Sequence, residues 1–186
     1  LKEIRSLHQL GDEEILFLFT GNLAYEPNYK AVQFICKEID PVFAKKNIPY
    51  RILICGGGLP GEFSDLAQQS KSILFTGFVD DILLYYKGCH VFINPVSYGG
   101  GIKTKMIDAL SCNLPVVSTV NGARGLSQEI VASSLIIVPD HDPQAFAEGM
   151  VQASRLKKIP SPEFIDMFSW ESIAKRAAVQ IGHLPS

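Results

Sequence analysis

Six short apolar runs, spaced by helix-length segments, constrain this chain more than any other feature. They are Glu14–Thr20, Tyr50–Cys55, Ser72–Thr76, His90–Asn94, Pro115–Thr119 and Ser134–Val138. Most are continuously apolar rather than alternating, so they are expected to be strands covered on both faces. Between them, Asn28–Lys46 carries Ala31, Val32, Phe34, Ile35, Ile39, Val42 and Phe43 at helical spacing. Asp80–Tyr86, Lys103–Cys112 and Asp142–Leu156 read as further helices, and Ser169–Ile181 closes the chain. Strands that alternate with helices build right-handed βαβ units and a parallel sheet. The expectation is one α/β domain over residues 1–186, a doubly wound, Rossmann-like parallel sheet. Residues 157–186 would form a linker (Lys157–Pro162) and the closing helix.

Composition removes several function classes. The 186 residues are 47% hydrophobic and 19% charged, an ordinary globular balance. A net charge of −2 argues against non-specific nucleic-acid binding, which needs a strongly basic surface. No apolar run approaches the roughly 20 residues of a membrane span. Cys36, Cys55, Cys89 and Cys112 have neither CxxC nor cysteine–histidine spacing, so they read as reduced core thiols of a cytosolic protein, and no metal site is expected. The chain opens at Leu1; no signal peptide is expected, and the chain is expected to be part of a longer protein.

In a parallel sheet, ligands bind beyond the carboxyl ends of the strands. Most glycine-rich turns fall on that edge: Gly21-Asn22, Gly56–Gly58, Gly77, Gly99–Gly101 and Asn121-Gly122. The segment Tyr98–Leu110 carries most chemistry. Three glycines let backbone N–H groups approach an anion, and a helix N-terminus adds partial positive charge. Lys103 and Lys105 follow at once, where a cation is unfavourable unless an anion is present. Asp108 can accept hydrogen bonds from a ribose diol, and Arg124 lies on the next edge loop. These residues point to an anion site.

Other motifs have plainer readings. Gly56–Gly61 matches GxGxxG, but it follows the second strand, and Asp80-Asp81 sits past a strand rather than at its end. A tight strand-to-helix turn is the preferred reading, with NAD binding as an alternative. Asp140-His-Asp142 matches DxD, yet Asp142 followed by Pro143 is a helix start, and Asp80-Asp81 reads the same way. His8, His141 and His183 lie in polar contexts, while the sequence leaves His90 open as an active-site residue.

The ordered set of motifs resembles the retaining, GT4-like (group 1) glycosyltransferases of the GT-B fold, over nearly the whole chain. Leu16–Asn28 is similar to the family's strand–GxxxxPN opening, Phe75–Val79 to its base-contacting loop and Gly99–Leu110 to its phosphate–ribose segment. Pro115–Thr119 follows in order, and Phe168–Glu171 resembles the closing FSWE. The resemblance implies the C-terminal, donor-binding half of such an enzyme. Phe78 and Val79 would hold the nucleobase, and Gly21 and Asn22 would border the diphosphate. Gly100, Gly101, Ile102 and Lys103, with Thr104, would face the diphosphate and sugar, and Asp108 stands where the family has a ribose-binding Glu. Two departures stand out. Gly100 occupies the position of the family's first Glu, and Gly21–Asn28 lacks the Arg and Lys that many members place there. A subgroup with GxGIKxK is similar to this chain, and there the downstream lysines would supply the charge. Lys105 and Lys103 are therefore assigned catalytic roles.

The implied function is hexosyl transfer from a nucleotide-diphosphate sugar, retaining and metal-independent, with no other cofactor. The acceptor, a glycan, lipid or small molecule, would be held by an N-terminal domain absent here, so this chain alone is expected to be inactive. A non-catalytic nucleotide-binding module is the alternative from another class. The expected location is cytoplasmic, with a peripheral membrane position left open for the full-length enzyme.

Overall fold

The computed structural model describes residues 1–59, 61, 70–126, 131, 134–156 and 162–182. The six apolar runs form six parallel strands: β1 (Ile15–Thr20), β2 (Tyr50–Cys55), β3 (Ile73–Gly77), β4 (Val91–Asn94), β5 (Val116–Thr119) and β6 (Leu135–Val138). They lie side by side in the order β3-β2-β1-β4-β5-β6. Register is continuous between β1 and β2, from Ile15 opposite Tyr50 to Thr20 opposite Cys55. β1 also pairs with β4, Phe17 opposite Val91. The order reverses between β1 and β4, and such a reversal opens a crevice at the carboxyl edge.

Continuous apolarity is explained by two-sided burial. In β1, Phe17 and Phe19 enter one core and Leu16 and Leu18 the other, all without solvent exposure. The first core is closed by α2 (Glu26–Phe34), α3 (Asp40–Ala44) and α6 (Pro143–Ser154), through residues such as Val32, Phe43 and Phe146. The second is closed by α1 (Lys2–His8), α4 (Ile82–Gly88), α5 (Thr104–Ser111) and α7 (Pro162–Phe168), through Ile4, Tyr86, Met106 and Phe164. Burying one such phenylalanine contributes roughly 1.5–3 kcal/mol. The last helix, α8 (Trp170–Gly182), packs on α7 and leaves Ile173 and Val179 exposed.

The helix expected over Asn28–Lys46 starts earlier, at Glu26, and is not uniform. A π-helical turn at Ile35–Ile39 separates α2 from α3, whose second residue is Pro41. Proline removes a backbone donor and crowds the preceding turn, and the widened turn accommodates it. Asp81 and Asp142 cap α4 and α6, accepting from the Leu84 and Ala145 backbone N–H groups at 3.2 and 2.9 Å. Asp140 accepts from Asn121 N–H at 3.1 Å and anchors the loop after β5. Two helices, α1 and α7, were not among the sequence expectations. Residues 157–161 of the expected Lys157–Pro162 linker, any helix opened by Gly56–Gly61 and His183 lie outside the described residues, while Pro162 begins α7. Among the described residues, no helix is long and apolar enough to cross a membrane.

Candidate functional site

The loops after β1, β2 and β3 are hydrogen-bonded to one another along the carboxyl edge. Gly21 N–H donates to Cys55 C=O at 3.1 Å, Leu23 N–H to Gly57 C=O at 2.9 Å and Gly56 N–H to Gly77 C=O at 2.8 Å. Gly56 has φ +152°, and a Cβ there would lie 1.8 Å from the Gly21 carbonyl oxygen. This contact accounts for glycine at position 56 without any dinucleotide. Together the three loops enclose a pocket of about 540 Å³. Gly21, Asn22, Phe78 and Val79 line it, together with Gly56 and Asp80. Phe78 is 79% exposed, so its ring is open to a planar ligand.

Lys105, from the first turn of α5, crosses to the end of β1. Its Nζ donates to the Thr20 carbonyl at 3.2 Å and to Asn28 Oδ1 at 2.8 Å, and it lies 4.1 Å from the centroid of the Phe19 ring. Thr20 lines the pocket, so this ammonium stands directly behind the pocket wall. Desolvation, and then the charge of Lys103, push the Lys105 ammonium down to about 7. Tyr86 of α4 closes the arrangement: its hydroxyl lies 3.1 Å from Thr20 Oγ1 and donates to the Lys105 carbonyl at 3.3 Å.

Lys103 does something different. Its ammonium folds back on its own loop, donating to the carbonyls of Gly99, Gly100 and Gly101 at 3.4, 3.1 and 3.1 Å. Burial, and then Arg124, lower its pKa. Gly100, Gly101, Ile102, Thr104 and Asp108 lie on this neighbouring segment and do not line the pocket. Asp108 is on the second turn of α5, and its pKa is raised by desolvation. Against Met106 of α5, a buried polar cluster ties the ends of β4 and β5 together. Asn94 Nδ2 donates to Ser118 Oγ at 3.1 Å, and Thr119 Oγ1 donates to the Val96 carbonyl at 2.6 Å.

The sequence-assigned residues thus form two adjoining groups, Gly21, Asn22, Phe78 and Val79 around the pocket and residues 100–108 beside it, with Lys105 bridging them. Sequence reasoning missed Asn28, Thr20 and Tyr86 as partners of Lys105. The PN pair ending the first loop was the available signal for Asn28. His90 is placed away from this edge. Its Nδ1 accepts from the Leu16 backbone N–H at 2.9 Å, at the start of the sheet, so it is structural. His8 likewise bonds the Tyr85 hydroxyl at 2.9 Å.

Comparison with known proteins agrees with the fold. Sucrose-phosphate synthase from Thermosynechococcus elongatus superposes with a TM-score of 0.71 at 22% identity, over 97% of this chain and 48% of that one. Anabaena Alr3699/HepE, in complex with UDP and glucose, gives 0.73 at 17% identity, over 98% of this chain and 52% of that one. An uncharacterized 44.6 kDa protein in the cps region of Klebsiella pneumoniae is 25% identical over 136 residues, which is 67% of this chain and 35% of that protein. The chain therefore spans about a third to a half of the proteins it matches. The family model of the group 1 glycosyl transferases matches residues 14–155, most of the sequence. The chain belongs to that family of glycosyltransferases.

Proposed function

We propose that this chain is the donor-binding domain of a sugar-transferring enzyme and that it holds a nucleotide-diphosphate sugar at the β1–β4 crevice. The observation that carries this reading is Lys105, a cation lodged at the end of β1 beside an open pocket. The nucleobase would enter the 540 Å³ pocket against Phe78 and Val79. The diphosphate would pass Gly21 and Asn22 toward the N-terminus of α5, and Asp108 would take the ribose hydroxyls. Anabaena Alr3699/HepE, a relative in fold, is seen with UDP and with UDP-glucose, which supports a nucleotide sugar as the ligand class.

The chemistry is electrostatic. As the bond from the anomeric carbon to the diphosphate oxygen breaks, negative charge grows on the leaving diphosphate. Lys105 and the α5 N-terminus offset that charge, and preorganised cations and dipoles of this kind supply much of the rate enhancement in such sites. Lys103 ties the Gly99–Gly101 loop together and would turn to the diphosphate on binding. Transfer would proceed with retention and without a metal, to an acceptor held by an N-terminal domain. This chain alone would then bind donor but transfer little.

A non-catalytic nucleotide-binding module is the second reading, favoured by Gly100, where a Cβ would meet nothing within 4 Å. That space can hold a larger residue, and the chain leaves it empty. Thermal unfolding with UDP-, GDP- and ADP-sugars tests donor binding. A ligand at 100 times its Kd adds about 2.7 kcal/mol of stability. One sugar nucleotide should raise Tm in the wild type and lose that effect in Asp108→Ala. No stabilisation by any of them contradicts the proposal. Transfer assayed in the full-length protein, wild type against Lys105→Ala, separates enzyme from binding module.

A further inference from the structure

We propose that Asn28 is the positioning residue for Lys105, fixing its ammonium at the end of β1 and coupling it to the Gly21-Asn22 loop. The inference rests on the donor-binding reading above and assigns a new role within that site.

Both ends of the Asn28 amide are used, which settles its orientation. Oδ1 accepts from Lys105 Nζ at 2.8 Å, and Nδ2 donates to the Asn22 carbonyl at 3.0 Å. The side chain also fills the space over Gly21, where a Cβ would lie 2.6 Å from Asn28 Nδ2 and 2.8 Å from its Cγ. Gly21 therefore has no side chain so that Asn28 can reach across to α5. An ammonium has three donors. Thr20 and Asn28 take two, and the nitrogen also sits 4.1 Å from the centroid of the Phe19 ring. Asn28 thus holds the ammonium at the end of β1 and prevents the flexible lysine from swinging away. A neutral amide does this without cancelling the charge that a diphosphate would meet. An aspartate at the same position would cancel it.

The titratable groups recorded beside Lys105 are Lys103, whose charge acts on it, and Tyr86 of α4, whose hydroxyl bonds the Lys105 carbonyl, with Asp108 one turn further along α5. β1 presents Phe19 and Thr20, neither of them titratable. Variants at Asn28 leave all of these in place.

Two measurements test the assignment. The first needs no ligand: the Lys105 side chain is titrated by NMR in the wild type and in Asn28→Asp. A carboxylate against the ammonium should move its midpoint up by about one pH unit or more. An unchanged midpoint overturns the proposal. The second is a double-mutant cycle on nucleoside-diphosphate affinity, with Asn28→Ala, Lys105→Ala and both together. Asn28→Ala should weaken binding by about 10-fold in the wild-type background and by less than about 2-fold once Lys105 is gone. Equal losses in both backgrounds overturn the role, because a merely structural residue acts additively. Absence of nucleotide binding by the wild-type chain overturns the donor-binding reading, whereas binding with an additive cycle overturns this inference alone.

Discussion

At the scale of single residues, the proposed chemistry turns on Lys105. Its folded pKa of about 7 lies below the ordinary lysine value, because the ammonium is desolvated. The unfolded chain keeps this proton up to about pH 10.4. Between pH 7 and 10 the unfolded state therefore binds more protons, and this residue makes stability rise with pH. Below pH 7 the buried charge is present in full. Lys105→Met should thus stabilise the unliganded chain most at pH 6, with the gap to wild type closing as pH rises toward 10. Urea midpoints across that range measure it, and a gap that widens with pH would contradict the sign. Gly100→Glu should change stability by no more than about 0.5 kcal/mol, since the added side chain meets open space. Lys103 and Lys105 were legible as a pair because cations at a helix start need an anion or another acceptor. What each does was not legible. One folds onto its own loop and the other reaches 85 residues back in sequence to Thr20, a contact that only the fold creates.

At the scale of elements, the three loops beyond β1, β2 and β3 behave as one unit. Gly56→Ala should be costly, because its Cβ would collide with the Gly21 carbonyl. A loss of about 1–3 kcal/mol or more is expected by chemical denaturation, with nucleotide binding impaired in parallel. Asp142→Ala removes only the α6 cap and should cost about 1 kcal/mol while leaving binding unchanged. All six strands were readable from apolar runs, since two-sided burial writes itself into composition. Helices α4, α5, α6 and α8 were readable from spacing and Asp caps. The break between α2 and α3 was not, because periodicity runs through Pro41 while the backbone must widen around it. α1 escaped because seven residues, four of them charged or histidine, give little periodic signal. It is held instead by Ile4 packing where Gly88 leaves room.

At the scale of the whole molecule, alternation of strands and helices implied a parallel sheet but not its order. The order β3-β2-β1-β4-β5-β6 depends on which way each crossover runs, and it sets where the crevice opens. Lys105 spans that crevice from α5 to β1, and the pocket lies on the β1–β3 side of it. The ordered family motifs, rather than any one of them, made the glycosyltransferase family legible in advance, whereas the 540 Å³ pocket and its Gly56 wall emerged only from folding. The most direct test of the account is calorimetric titration of this chain with UDP, GDP, ADP and NAD at low salt, wild type against Lys105→Ala. Saturable binding of one nucleoside diphosphate is expected, weakened about 10- to 100-fold in Lys105→Ala, as for loss of a charged hydrogen bond. Binding of NAD alone, or of a diphosphate equally well by both proteins, would contradict it.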